Sequence, residues 1–252
     1  MCGIVGYFGN NDAVPVLIKG LKRLEYRGYD SAGLAIMSGD SFMVNKKAGK
    51  VAELESLVRE SGLTGSVGIG HTRWATHGEP SDLNAHPHTD YSGKFALIHN
   101  GIIENYAALK KLLEQRGVEF RTQTDTEVLV QLISTIYHEQ DTTFETAVTS
   151  ALEKVVGTYG IVVMCSDEPN QLIAARLGSP LVLGVGEGEY FIASDASPLV
   201  EYTRNVIYLG DRECLFIGDD GYKIKKLGNN EKLDKKVSRI DFTLEEIEKG
   251  NY

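Results

Sequence analysis

The chain has 252 residues, 42% of them hydrophobic and 24% charged, and carries a formal net charge of −9. This length and apolar share suit one large domain or two small ones with a sizeable core, and the acidic balance argues against nucleic acid as the main partner. No apolar run approaches the roughly 20 residues that a spanning helix needs, and no basic segment precedes a hydrophobic core at the start, so a membrane is not an expected partner and the cytoplasm is the expected location.

Residues 2–8 are apolar and Gly-punctuated and predict a strand. Its first residue, Cys2, stands directly behind Met1 in the string Met1-Cys2-Gly3-Ile4-Val5-Gly6-Tyr7. The small side chain at position 2 favours removal of Met1, which leaves a thiol and a free α-amine on one Cα. A thiol needs a base to become a nucleophile, and an α-amine titrates at about 7.7–8.0. The same position also suits a small buried residue that opens a strand. The other two cysteines, Cys165 and Cys214, lie within apolar runs and read as buried and inert. Three cysteines without a CxxC pair indicate neither a disulfide framework nor a zinc knuckle.

Asn11 or Asp12 can cap a helix with Pro15 in its first turn, and Val14, Leu17, Ile18, Leu21 and Leu24 keep helical spacing. Residues 33–37 and 42–45 predict a strand pair around a Ser-Gly-Asp turn. A short amphipathic helix with Val51, Leu54, Leu57 and Val58 on one face follows. Residues 67–71 and 95–99 predict two more strands. Between them, residues 73–91 are polar and rich in Gly, Pro and His, with no periodicity; such a long irregular segment suggests function. Three helices come next, marked by Leu109, Leu112 and Leu113, by Val128 to Ile136, and by Phe144 to Val155. From residue 159 to 227 the pattern is one of short strands and turns. The charged tail ends in a helix predicted near residues 244–249. Segregated strands and helices indicate an α+β fold with largely antiparallel sheets.

Several strings can carry chemistry. In His71-Thr72-Arg73-Trp74-Ala75-Thr76-His77-Gly78, the planar fork of Arg73 suits a carboxylate and Trp74 can shield a site from water. His86-Pro87-His88 forms an HxH which, with His71, His77 and His99, leaves a zinc hydrolase open, although no HExxH accompanies it. His99-Asn100-Gly101 at a strand end is either an Asn-Gly turn or an oxyanion hole built from an amide and a backbone N–H. Thr124-Asp125-Thr126-Glu127 fits a capping box that does not need Asp125, which can instead bind an ammonium group. Gly28-Tyr29-Asp30-Ser31-Ala32-Gly33 lacks the GxSxG spacing of a serine nucleophile. The glycines at 184–188 precede a strand rather than a helix and read as a turn.

Taken together these strings resemble the class II, N-terminal-nucleophile glutamine amidotransferases. The similarity runs from Cys2 to about Leu209 and rests on the opening Cys-Gly-Ile-Val-Gly, on Leu24 to Gly33, on His71 to Ser81, and on Asn84 to His88. It continues through His99 to Asn105, Thr124 to Glu127, Gly178 to Leu181 and Ala193 to Asp195. The Tyr-Arg-Gly-Tyr-Asp-Ser-Ala-Gly and His-Thr-Arg-Trp-Ala-Thr-His-Gly strings point to the branch that aminates fructose 6-phosphate.

The resemblance implies a four-layer αββα sandwich and no cofactor. It implies that Cys2 attacks the side-chain amide of L-glutamine, giving a γ-glutamyl thioester and ammonia, with its own α-amine as base. Asn100 and Gly101 would hold the oxyanion. Arg73 and Thr76 would bind the substrate α-carboxylate and Asp125 its α-ammonium. His77 would line the site, Trp74 would gate the path for ammonia, and Arg27 would orient the cysteine. It also implies a glutaminase domain over residues 1–228 and, over 229–252, a tail that opens a linker to sugar isomerase domains, the isolated piece being a monomer or weak dimer. Two alternatives stay open: another class II enzyme, or a non-catalytic glutamine-binding module.

Overall fold

In a computed structural model, residues 2–75, 78–229 and 231–241 are described. The start of the chain forms strand β1 (Gly3–Phe8) and helix α1 (Ala13–Leu24), the helix capped by the Asp12 carboxylate accepting from Val14 N at 3.1 Å. Removing such a cap costs about 1 kcal/mol. A single 3₁₀ turn over Glu25–Arg27 leads to the hairpin β2 (Ser31–Ser38) and β3 (Ser41–Ala48), then to α2 (Val51–Ser61) and β4 (Val67–Arg73). The irregular stretch that follows contains the two-residue strand β5 (His88–Thr89) and ends at β6 (Phe95–Ile103). Helices α3 (Tyr106–Glu114), α4 (Asp125–Gln140) and α5 (Phe144–Leu152) come next. The remaining strands are β7 (Gly157–Cys165), β8 (Gln171–Leu177), β9 (Val182–Val185), β10 (Tyr190–Ala193), β11 (Asn205–Tyr208), β12 (Glu213–Gly218), β13 (Gly221–Lys226), β14 (Lys232–Leu233) and β15 (Ser238–Arg239).

Among the described residues the strands form two antiparallel sheets, in the orders β15-β11-β9-β10-β1-β4-β2-β3 and β14-β13-β12-β8-β7-β6-β5. Side chains alternate along each strand, and the central strands β1 and β4 of one sheet and β7 of the other, the last from Tyr159 on, bury both their faces. Ile4 and Phe8 of β1 meet Ala96 and Ile98 of β6 between the sheets. Val5 and Tyr7 face the other way, against Leu17, Leu21 and Leu54 of α1 and α2. Phe95 and Leu97 face Val128, Leu129, Leu132 and Phe144 of α4 and α5. The layers are therefore α, β, β, α, the four-layer α+β sandwich that the resemblance implied.

Two local expectations are corrected. The strand carrying Asn100 and Gly101 does not end at His99. It continues to Ile103, with Asn100 opposite Gly160 and Gly101 opposite Tyr159 on β7, so the pair is extended backbone and not a turn. Only half of the capping box forms. Thr124 Oγ1 accepts from Glu127 N, but the Glu127 carboxylate accepts from Arg121 N and Thr122 N instead of turning back to Thr124. Beyond Gly228, β14 pairs with β13 and β15 with β11, and Ile240 joins the core beneath the first helices. The helix expected near residues 244–249 lies outside the described residues.

Candidate active site

The head of β1, the end of β4 and the end of β6 converge on a cavity of about 350 Å³. β1 and β4 are neighbours near the middle of one sheet, with Gly3 opposite Thr72, which sets Cys2 beside the chain as it leaves β4. β6 brings Asn100 from the other sheet. The cavity wall includes Cys2, Arg73, Trp74, Asn100, Gly101 and Asp125, with Arg27 among the lining residues. The structure thus gathers seven of the residues singled out from the sequence. Thr76 and His77 lie outside the described residues.

Cys2 Sγ accepts a hydrogen bond from the Trp74 main-chain N–H at 3.2 Å and lies 3.5 Å from the Trp74 carbonyl oxygen. Burial pushes the thiol pKa above its ordinary value and the Asp30 carboxylate adds to that, while the Trp74 hydrogen bond and the Arg73 charge oppose it without prevailing. A thiol in this state is protonated near neutrality and needs a base. Asn100 Nδ2 donates to the Cys2 carbonyl oxygen at 3.1 Å. Gly101 has φ of 132°, a left-handed value that suits glycine.

Arg73 is buried, and its guanidinium donates to the carbonyl oxygens of Gly78 at 3.1 Å and Glu79 at 3.4 Å, with Asp30 Oδ1 at 4.0 Å. Asp125 is buried at the first position of α4, where Oδ2 accepts from Ile103 N at 2.8 Å. A cation and an anion thus face one cavity, as a zwitterionic amino acid requires. Arg27 pairs with Asp195, and the neighbouring Ser194 hydroxyl accepts from Ile4 N at 3.1 Å, so this pair is tied to β1. Trp74 is half exposed and meets the Tyr29 ring edge to face at 6.0 Å.

Sequence reasoning missed three residues that build the site. Asp30 lies in the Tyr-Arg-Gly-Tyr-Asp-Ser-Ala-Gly string, which by itself assigns it no role. Its carboxylate accepts from Ala75 N, and its own N–H donates to Arg73 O at 3.2 Å, so it holds the chain that leaves β4. Gly28 lies so close beneath Arg73 and Trp74 that a Cβ would stand 2.9 Å from Arg73 O; the signal was the glycine itself within Tyr-Arg-Gly-Tyr-Asp. The third, His71, opens the His-Thr-Arg-Trp string, and the sequence suggests no role for it beyond membership of a possible metal set. Instead its buried ring stacks on His86 at 4.2 Å, and His86 meets His88 edge to face at 4.7 Å.

A four-layer sandwich with a cysteine heading a central strand over such a cavity defines a class II, N-terminal-nucleophile amidotransferase. A family model described as a glutamine amidotransferase domain matches residues 71–201, just over half of the chain, and the chain belongs to that family. Glutamine–fructose-6-phosphate aminotransferase [isomerizing] of Chlorobaculum tepidum is 54% identical over 256 residues, covering 100% of this chain and 41% of that protein. The enzyme of the same name from Thermococcus kodakarensis is 48% identical over 252 residues, covering 100% and 42%. The chain therefore spans about two fifths of the length of the curated relatives it matches. Among solved structures, glutamine phosphoribosylpyrophosphate amidotransferase from B. subtilis superposes with a TM-score of 0.79 at 29% identity, covering 91% of this chain and 50% of that one. Among the described residues no helix is long and apolar enough to cross a membrane.

Proposed function

We propose that this chain is the ammonia-supplying glutaminase unit of a cytoplasmic enzyme that makes glucosamine 6-phosphate from fructose 6-phosphate. Once Met1 is removed, the Cys2 α-amine takes the thiol proton, directly or through a water. The thiolate attacks the side-chain amide carbon of L-glutamine. Asn100 Nδ2 and the Gly101 N–H stabilise the oxyanion, a contribution of roughly 100- to 1000-fold per donor in acyl transfer. The intermediate collapses to a γ-glutamyl thioester as the α-ammonium returns its proton to the departing nitrogen, releasing ammonia. Water then attacks the thioester, glutamate leaves, and the thiol regains its proton. Arg73 with Thr76 receives the substrate α-carboxylate and Asp125 its α-ammonium, while His77 lines the site. Trp74 gates the exit for ammonia, and Arg27 holds the head of β1.

The observation that carries this reading is the placing of the Cys2 thiol and the Asn100 amide on one cavity wall with Arg73 and Asp125. The relatives' names support the choice of sugar acceptor. The unit spans residues 1–228, with the strands that follow laid on its sheets, and sugar isomerase domains would supply the fructose 6-phosphate site. Alone, the chain hydrolyses glutamine, forms no glucosamine 6-phosphate, and is a monomer or weak dimer. Ammonia release by the wild type and by Cys2→Ala tests the core of it: equal rates would reject Cys2 as nucleophile. A second reading, the ammonia-supplying part of a different class II enzyme, is favoured by the fold shared with the phosphoribosylpyrophosphate amidotransferase, and joining the chain to candidate acceptor domains separates the two.

A further inference from the structure

His71 sits on β4, two residues before Arg73, with its ring fully buried. Its Nε2 lies 3.1 Å from the His99 carbonyl oxygen and 2.9 Å from Asn100 Oδ1. A carbonyl oxygen can only accept, so Nε2 carries the hydrogen. That hydrogen faces both oxygens. Were the Asn100 amide turned over, its NH₂ would meet the ring N–H donor to donor, and its oxygen would oppose the Cys2 carbonyl. The His99 carbonyl therefore selects the His71 tautomer, and the tautomer selects the Asn100 orientation.

We propose that His71 is the positioning residue of the oxyanion hole, its Nε2–H holding the Asn100 carboxamide with Nδ2 turned toward Cys2. This rests on the glutaminase reading given above. A side-chain amide has a broad, nearly two-fold torsion, and the wrong half of it would present Asn100 Oδ1 to the developing negative charge. His71 prevents that from outside the cavity, touching neither substrate nor thiol. The ring is built to stay neutral while it does so. Nδ1 is buried with no hydrogen-bond partner among the described residues, so a second proton would have no acceptor among them. Burial holds the ring pKa down at about 3 against the Asn100 hydrogen bond, with the nearby His99 and Arg73 pushing the same way. The His86 ring, stacked nearly parallel at 25°, closes the other face.

The test compares His71→Gln and His71→Leu in the 252-residue protein after removal of Met1. The Gln side-chain NH₂ can take the place of Nε2–H, whereas Leu cannot donate. His71→Leu should lower kcat for glutamine hydrolysis by about 100-fold, the scale of a lost oxyanion donor, with KM changed less than about threefold. His71→Gln should recover at least about tenfold of that loss. Equal rates for Gln and Leu, an unchanged kcat in Leu, or a loss confined to KM would each overturn the positioning role. A readout that does not need turnover is the nitrogen spectrum of the ring in labelled wild-type protein. A neutral ring protonated on Nε2 is expected, with the Asn100 side-chain NH₂ signals moving in the Leu variant; a ring protonated on Nδ1, or unmoved Asn100 signals, overturns the proposal. Failure of the glutaminase reading appears separately, as equal ammonia release by wild type and Cys2→Ala, and the spectra then still decide whether His71 orients Asn100.

Discussion

The main-chain N–H of Trp74 points at Cys2 Sγ from 3.2 Å. It comes from the residue just past the end of β4, so the strand that pairs with β1 also delivers a donor to the thiol that β1 presents. This donor favours the thiolate, yet burial wins and the Cys2 pKa is raised. The α-amine made by removing Met1 is the natural remedy. A preparation shown by intact mass to retain Met1 should release ammonia at no more than background. Glutamine turnover by such a preparation would overturn the proposed base.

Alkylation should separate the three cysteines. Burial raises Cys165 to about 11 and Cys214 to about 12, so near pH 8 their thiolate fractions are on the order of one in a thousand or less. The folded, processed protein should take one iodoacetamide label, on Cys2, with loss of ammonia release in step. Labelling of Cys165 or Cys214 in native protein at a comparable rate would contradict this.

Asp125→Asn retains an oxygen for the Ile103 N–H but removes the charge proposed for the substrate ammonium. The KM for glutamine should rise by about 30-fold or more, in line with the 2–5 kcal/mol cost of breaking a buried charge pair. Steady-state kinetics should show kcat affected far less than KM. A variant with unchanged KM would remove Asp125 from substrate binding.

Gly101→Ala should fail in two ways. The residue has positive φ, and its Cβ would overlap the Thr158 carbonyl oxygen. The cost should be about 1–3 kcal/mol of stability, read as a lower melting temperature, together with loss of ammonia release. Wild-type stability would show that β6 and β7 can part there at little cost.

Acid should destabilise the protein well above the carboxylate range. His71, His86 and His88 are buried, and burial lowers the pKa of each below the ordinary 6.5. The folded state keeps them neutral, while the unfolded chain takes up protons once pH drops below about 6.5. Stability is therefore full above that value and is lost as pH falls. Three groups at about 1.4 kcal/mol per unit each give roughly 4 kcal/mol between pH 7.5 and 5.5. Urea unfolding at the two pH values checks it, and equal unfolding free energies would mean that the rings protonate within the fold.

Much of the fold was legible because its signals are local. Asp12, the 3.6-residue spacing of α1 and the apolar runs of β7 and β12 each act within a few residues. The extent of β6 was not, since Asn100-Gly101 is a strong turn pair and only its partners Gly160 and Tyr159 across the sheet keep it extended. Cys2, Arg73, Asn100 and Asp125 could be picked out because their side chains suit a glutamine substrate and occur in distinctive strings. Asp30 and His71 act on other parts of the protein, through Ala75 N and Asn100 Oδ1. Residues that act only through a tertiary neighbour leave no spacing in the sequence to read.

The run from β14 to β15 is stitched to one edge of each sheet. Lys235, between the two strands, is fastened to Glu213 Oε2 and to the Tyr208 carbonyl oxygen, each at 2.7 Å. Its ladders are short: Asn205 opposite Arg239 and Val206 opposite Ser238 on one sheet, Ile224 opposite Leu233 and Lys225 opposite Lys232 on the other. A load applied to the chain past Asp241 reaches these seams first, with β11, β9 and β10 standing between β15 and the strand that carries Cys2. The hem can give way two residues at a time while the strand headed by Cys2 stays clamped between β10 and β4.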